Sequence, residues 1–276
     1  MVDREVSLHF NFGHVFDASY AYIRKNACSS FIRMILDDLS LSPEDVGKTR
    51  IGLANKYRRV KSIDELRGYP RRFFVFRPPL ERVVSAFLSR VVLGLDSDLS
   101  KSFFYMKRGN IHNTEQKYDK KIIENYTFEE FVIEYLIPTP NEDLDPHLRT
   151  VVSHLYPVLY TDVMLMSELF EDTKYVFGTE IADKFFRKRT NSTIKYATYK
   201  DKLAGKKKIW EILSIYQESN TLPEKNSFLS ASISNLLESK YSSDIELYNL
   251  YKKIRKENGN IPVPIDLTNY DFSKIM

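Results

Sequence analysis

The stretch that most limits the folds open to this chain is Arg72-Phe73-Phe74-Val75-Phe76-Arg77-Pro78-Pro79-Leu80-Glu81-Arg82-Val83-Val84-Ser85-Ala86-Phe87. Its first part, short, apolar and rich in aromatics, reads as a buried strand. Arg77-Pro78-Pro79 ends that strand, because proline gives no amide to a ladder and drives the residue before it out of the helical region. From Leu80 onward, Leu80, Val83, Val84, Phe87, Leu88, Val91 and Val92 recur at helical spacing, so a helix with one apolar stripe follows. Arg77 therefore stands at the carboxyl end of a strand, where open α/β sheets take their ligands. At about 100° per residue, Arg82, Ser85 and Ser89 share the helix face away from the stripe. An arginine at the strand end and a serine on that face can converge on one anion.

A second strand, loop and helix precede the first. Tyr20-Ala21-Tyr22-Ile23 is a short strand candidate, Arg24-Lys25-Asn26-Ala27-Cys28-Ser29-Ser30 is small and polar, and Phe31, Ile32, Met34, Ile35 and Leu39 follow at helical spacing. This order presents free backbone N–H groups and the positive end of a helix dipole to a phosphate. Ser29 or Ser30 suits a cap or a direct bond to that anion, and Lys25 adds a mobile charge. The loop has no glycine and no G-x-x-x-x-G-K-[ST] pattern, which disfavours an ATP or GTP hydrolase but not an anion site. The same residues also suit an ordinary strand-to-helix turn with a surface lysine.

Charge supports an anionic ligand only locally. The formal net charge is +4, too mild to argue for nucleic acid. Residues 50–90, however, hold eleven Lys and Arg against three acids. That excess surrounds the Arg77 motif, as an anionic donor or acceptor would require, and it equally fits a solvated basic surface. With 43% apolar residues and 36 Phe and Tyr, the chain has ample material for a core and is unlike a disordered one. No apolar run of about 18 residues is present to span a membrane. The charged start, Met1-Val2-Asp3-Arg4-Glu5, is unlike a signal peptide, and the single Cys28 suits a reducing compartment.

Elsewhere the elements are ordinary. Residues 41–45 suggest a turn and helix start, Ser62-Ile63-Asp64-Glu65 a cap, and residues 93–120 a polar surface loop or lid. Thr127 and Glu130 form a capping-box pattern for a helix to Leu136. Prolines at 138, 140 and 146 break it and lead to His147. Residues 156–160 and 174–177 read as short strands, the second ending at Gly178. Residues 180–190 and 206–218 read as helices, the latter with Trp210, Ile212, Leu213 and Tyr216 on one face. The run 206–208 is a solvated lysine face, residues 232–240 and 243–256 read as helices, and a tail with two prolines closes the chain. One domain is expected over 1–276, with its core at about 16–256 and the tail at 257–276.

Together these segments resemble the carbohydrate sulfotransferases of the HNK-1 and chondroitin type. Those enzymes transfer sulfuryl groups from 3′-phosphoadenosine 5′-phosphosulfate (PAPS) to sugar hydroxyls. Their Pro-Lys-Val-Ala-Cys-Thr-Asn/Ser motif resembles residues 24–30, and their Val-Arg-Asp-Pro-Phe-Glu-Arg-Leu-Val-Ser-Ala-Tyr motif resembles residues 76–87. Asp-Pro-His-Trp-Arg-Pro is similar to Asp145-Pro146-His147-Leu148-Arg149-Thr150, and a C-terminal Tyr/Asp segment to Tyr241 through Tyr248. The likeness runs from about residue 20 to 250. Arg24 stands for the usual proline, Pro78 for an acid and Leu148 for a tryptophan, the last beside the expected acceptor site.

The resemblance implies a P-loop-like, three-layer α/β fold with a central, mainly parallel sheet flanked by helices. It implies that Lys25, Asn26, Ala27, Cys28, Ser29 and Ser30 hold the 5′-phosphosulfate, that Arg77 and Ser85 hold the 3′-phosphate, and that Arg82 belongs to the same binding motif. Lys25 would neutralise the leaving phosphate oxygen. His147 is the preferred general base among His9, His14, His112, His147 and His154, since a histidine suits that role near neutral pH. His112 stands second, and the carboxylates Glu142 and Asp145 are the other candidates. No metal is implied.

The implied partner is a carbohydrate or glycolipid acceptor, anionic acceptors and membrane-surface glycolipids included. A soluble, bacterial-type cytoplasmic enzyme is expected; a Golgi enzyme with its anchor trimmed is the alternative. Two other classes stay open. An ATP-dependent kinase would use the same strand–loop–helix with Mg²⁺, and a non-catalytic module would bind anionic glycans through the basic segment.

Overall fold

Residues Arg71–Phe76 form the middle strand of a five-stranded sheet in a computed structural model of the chain, which describes residues 11–15, 17–41, 49–107, 118–187 and 197–272. In chain order the elements begin with β1 (Asn11–Val15), β2 (Ala18–Ala21), α1 (Cys28–Asp38), α2 (Arg50–Arg58), α3 (Ile63–Gly68) and β3 (Arg71–Phe76). Then come α4 (Pro79–Ala86), α5 (Asp98–Lys107), α6 (Lys120–Glu124), α7 (Phe128–Phe131), β4 (Leu159–Leu165), α8 (Leu169–Phe177) and α9 (Thr179–Phe185). The last are β5 (Ala197–Tyr199), α10 (Ile209–Ser219), β6 (Thr221–Pro223), α11 (Ala231–Lys240), α12 (Ser242–Glu257) and β7 (Val263–Asp266). Two π-helical segments, Phe87–Val92 and Val132–Leu136, continue α4 and α7.

The chain divides into two units. One comprises residues 1–77, 151–190 and 246–274; the other comprises 78–150, 191–245 and 275–276. The first holds the sheet, in the order β1-β2-β3-β4-β7. Pairing is parallel from β2 through β4, with an antiparallel strand at each edge. Alternation along β3 builds two cores. Phe73 and Val75 meet Tyr20, Phe31, Ile35 and Met164 on one face, with α1, α2, α8 and α9 contributing to that layer. Phe74 and Phe76 point the other way, where Phe76 packs on Tyr248 and Tyr251 of α12 at centroid distances of 5.5 and 6.2 Å. A sheet between helical layers results. Arg255 of α12 secures the second layer with a buried fork onto Asp172 at 2.9 and 2.6 Å.

The second unit is mainly helical. Its core gathers Val83, Val84, Phe87, Phe103, Phe128, Phe131, Ile209, Phe228 and Tyr241. Thr127 and Glu130 make the expected capping box on α7, and Ser62 caps α3 in the first unit. No described helix is long and apolar enough to cross a membrane.

Several expectations need correction. Residues 174–177 are the last turn of α8, because Thr173 and Val176 are buried at helical spacing with Leu169 packed beside them. The strand expected at 156–160 begins only at Leu159, after Pro157, which has no amide for a ladder. The loop expected over 93–120 contains α5, whose Leu99, Phe103 and Phe104 are buried. Trp210 is 48% exposed, and Ile209 takes its place beside Ile212. The C-terminal tail contributes an edge strand, with Pro264 on an exposed position where proline is tolerated. Residues 42–45 and 108–117, His9 and His112 lie outside the described residues.

Candidate active site

In the first unit, parallel β2 and β3 bring two loops to the carboxyl edge of the sheet. Ala18, Ser19 and Tyr20 pair with Arg71, Arg72 and Phe73, so the loop after β2 and Arg77 after β3 leave neighbouring strands. α1 begins earlier than expected, at Cys28, which places Ser29 and Ser30 in its first turn and makes Ala27 the residue before it. Neither serine is the cap. Ala27 has φ 59°, and its methyl side chain offers no cap to the first-turn amides. The positive end of this eleven-residue helix is complementary to an anion.

The loop reaches this shape without glycine. Lys25 (φ 70°) and Ala27 (φ 59°) both lie in the left-handed region, at roughly 1–2 kcal/mol each. Contacts from below hold it. The fully buried Asn26 donates from Nδ2 to the Val75 carbonyl at 2.8 Å, tying the loop to β3. Its Oδ1 is buried with no hydrogen-bond partner. Arg77, 5% exposed, donates from Nη1 to the Lys25 carbonyl at 2.9 Å. The Asn26 amide donates to the Ile23 carbonyl at 3.2 Å. Tyr20, whose phenol burial pushes well above its usual range, donates to the Asn26 carbonyl at 3.4 Å.

In the second unit, Pro79 occupies the first turn of α4, and the Pro78 carbonyl accepts from the Arg82 amide at 3.1 Å. Pro78 thus does backbone work that no acid is needed for. Ser85 and Arg82 are both buried, so the polar face expected from the spacing is not a solvent face. The Arg82 side chain is fully enclosed. Its Nη1 donates to the His147 carbonyl at 3.3 Å, its Nη2 donates to the Arg149 carbonyl, and Asp244 lies 3.6 Å from Nη2. The guanidinium sits 5.8 Å from the Tyr241 ring centroid, and the Tyr241 hydroxyl donates to the intervening Leu148 carbonyl. Three consecutive carbonyls are therefore held by two side chains.

The loop so held carries His147. Asp145 Oδ1 accepts from the His147 amide at 2.8 Å and lies 2.6 Å from its Nδ1. A carboxylate can only accept, so the neutral imidazole carries its proton on Nδ1 and its lone pair on Nε2. Burial, and then the nearby Asp145 charge, push the Tyr135 phenol up to about 12. Arg149 folds back to the carbonyls of Leu144 and Glu142 at 2.8 and 2.6 Å, and Asn141 accepts from the Thr150 amide at 2.8 Å. Asp145, the rival candidate for the base, is thus in direct contact with His147.

Part of the basic segment is taken up internally. Arg71 forks onto Asp162 at 3.1 and 2.7 Å, and Arg72 donates to the carbonyls of Leu159 and Arg67 at 2.6 and 2.9 Å. With Arg77 and Arg82 tied as above, four of the eleven cations on which a glycan-binding module would draw have partners within the protein. Among the described residues, no cluster of His, Cys, Asp and Glu could hold a metal ion.

Residues 25–30 and Arg77 thus gather in the first unit, and Arg82, Ser85 and His147 lie in the second. What the residue types alone left unassigned is the pair Tyr241 and Asp244, at the junction where α11 ends and α12 begins. A model of the sulfotransferase family matches residues 9–252. No curated protein and no solved structure matches the chain.

Proposed function

The chain belongs to the sulfotransferase family, and from that premise we propose that it moves the sulfuryl group of PAPS to a hydroxyl of a carbohydrate or glycolipid. The observation that carries the donor is the start of α1, an uncapped helix end on a strained loop braced by Arg77. Its donors suit the doubly charged phosphosulfate end of such a nucleotide. PAPS supplies an activated sulfur with a phosphate leaving group, and the protein's share is positioning and charge.

The amides of Cys28 and Ser29, with the hydroxyls of Ser29 and Ser30, hold the non-reacting oxygens. Lys25 neutralises charge growing on the leaving oxygen. Asn26 and Ala27 set the loop's shape, Asn26 from beneath. Arg77 and Ser85 hold the 3′-phosphate, the group that separates this donor from ATP. Arg82 acts through the loop it holds. His147 takes the acceptor proton at Nε2 as the acceptor oxygen bonds to sulfur and the sulfur–oxygen bond to the 5′-phosphate breaks. Asp145 stabilises the resulting imidazolium. The family match over residues 9–252 takes in most of both units, and we treat residues 1–276 as one sulfotransferase domain acting on that acceptor class.

The test is selectivity between nucleotides. Arg77→Ala and Ser85→Ala should each weaken 3′-phosphoadenosine 5′-phosphate binding by roughly 10-fold or more, with 5′-AMP binding nearly unchanged in calorimetry. Equal losses for both nucleotides would remove the 3′-phosphate assignment.

A further inference from the structure

Tyr241, Asp244 and Arg82 form one enclosed assembly, and the side chains of Arg82 and Tyr241 donate to the carbonyls of the loop carrying His147. We propose that these three are positioning residues for the His147–Asp145 pair: they fix the peptide groups of 147–149 so that the imidazole is presented in a single orientation. The proposal rests on His147 being the base, and it reassigns Arg82 from the nucleotide to the acceptor side of the chemistry.

Geometry supports it in three ways. First, the donors are matched to consecutive acceptors, with Arg82 on the carbonyls of His147 and Arg149 and Tyr241 on that of Leu148. A loop satisfied at each of three successive carbonyls cannot rotate one peptide without losing a buried hydrogen bond. Second, the donors are themselves fixed. Arg82 and Asp244 have no exposed side-chain surface and form an ion pair at 3.6 Å. Tyr241 is fully buried, and burial keeps its phenol protonated and donating. Third, the far side of the loop is braced separately by Arg149 and Asn141. His147 can then pivot only about its own side-chain torsions, and Asp145 Oδ1, bonded to both its amide and Nδ1, removes most of that freedom. A purely structural clamp would need no such focus on the residues either side of one imidazole.

Tyr241→Phe is the informative variant, since it keeps the ring against Arg82 and deletes one hydroxyl. We expect it to fold with nucleotide affinity and acceptor KM retained and kcat reduced roughly 10- to 100-fold, the scale of a misplaced catalytic group. Combined with His147→Ala, it should cost little beyond His147→Ala alone. Asp244→Asn should behave alike, and Arg82→Lys, which keeps the charge but loses the fork, should not rescue. NMR of the imidazole nitrogens gives a reading that does not depend on catalysis: the wild-type protein should show one tautomer, protonated on Nδ1, and Tyr241→Phe a mixture. Unchanged kcat and an unchanged tautomer in folded Tyr241→Phe would overturn the proposal. So would losses that multiply with that of His147→Ala. If His147→Ala keeps full turnover while the tautomer shift is seen, the positioning stands and the base assignment fails.

Discussion

Lys25 and Ala27 hold left-handed backbone angles that a glycine would adopt without strain, and they do so at the mouth of the proposed donor site. Strain of this kind persists where surrounding contacts over-determine the backbone, and here Asn26, Arg77 and Tyr20 supply them. Ala27→Gly should relieve more strain than it adds in chain entropy. The expected gain is about 0.5–1 kcal/mol, a rise of ~1–3 °C in apparent Tm by calorimetry. A fall of similar size would show that the loop is not strained. Little of this was legible beforehand, because neither lysine nor alanine signals positive φ and two of the supports come from Val75 and Arg77, about fifty positions on. Arg82 is the same lesson in reverse. Its spacing correctly set it off the apolar stripe, but its partners at 147, 149 and 244 could not be read from neighbours in sequence.

Elements marked by proline or by a long apolar period were the legible ones. The β3–Pro-Pro–α4 junction, the capping box at Thr127 and the two C-terminal helices form where spacing placed them. Short runs of aromatic and β-branched residues were ambiguous, as at 174–177, where length alone separates a strand from the end of a helix. The Phe87–Val92 stretch keeps its stripe buried while widening to a π-helix, which period counting does not detect. Close packing between elements gives a sharper test. A Cβ added at Gly205 would sit 2.8 Å from the Phe228 carbonyl oxygen, whereas one at Gly68 would meet nothing within 4 Å. Gly205→Ala should therefore destabilise its unit by about 1–3 kcal/mol while Gly68→Ala is nearly neutral, as measured by denaturant unfolding. Equal stability of the two variants would mean that the approach at Gly205 is looser than drawn.

At the scale of the whole molecule, the sheet-bearing unit carries the donor loop and Arg77, and the helical unit carries Ser85 and the His147 corner. In the proposed reaction each unit has its own chemistry: a helix N-terminus for the anionic donor in one, the His147 imidazole for the acceptor proton in the other. The carboxyl-edge placement of Arg77 followed from one strand, one proline pair and one helix, and the α/β class from the family resemblance. Acceptor identity did not, because Leu148 is buried and accepts from Tyr241 through its backbone, so its side chain says little about a sugar. The central claim concerns the donor, and thermal shift addresses it without any acceptor. Titrated in parallel, 3′-phosphoadenosine 5′-phosphate should raise the apparent Tm at concentrations where ATP, 5′-AMP and NAD leave it nearly unchanged, the shift growing with ligand as binding linkage requires. Stabilisation by ATP with Mg²⁺ equal to or above that by 3′-phosphoadenosine 5′-phosphate would contradict the account.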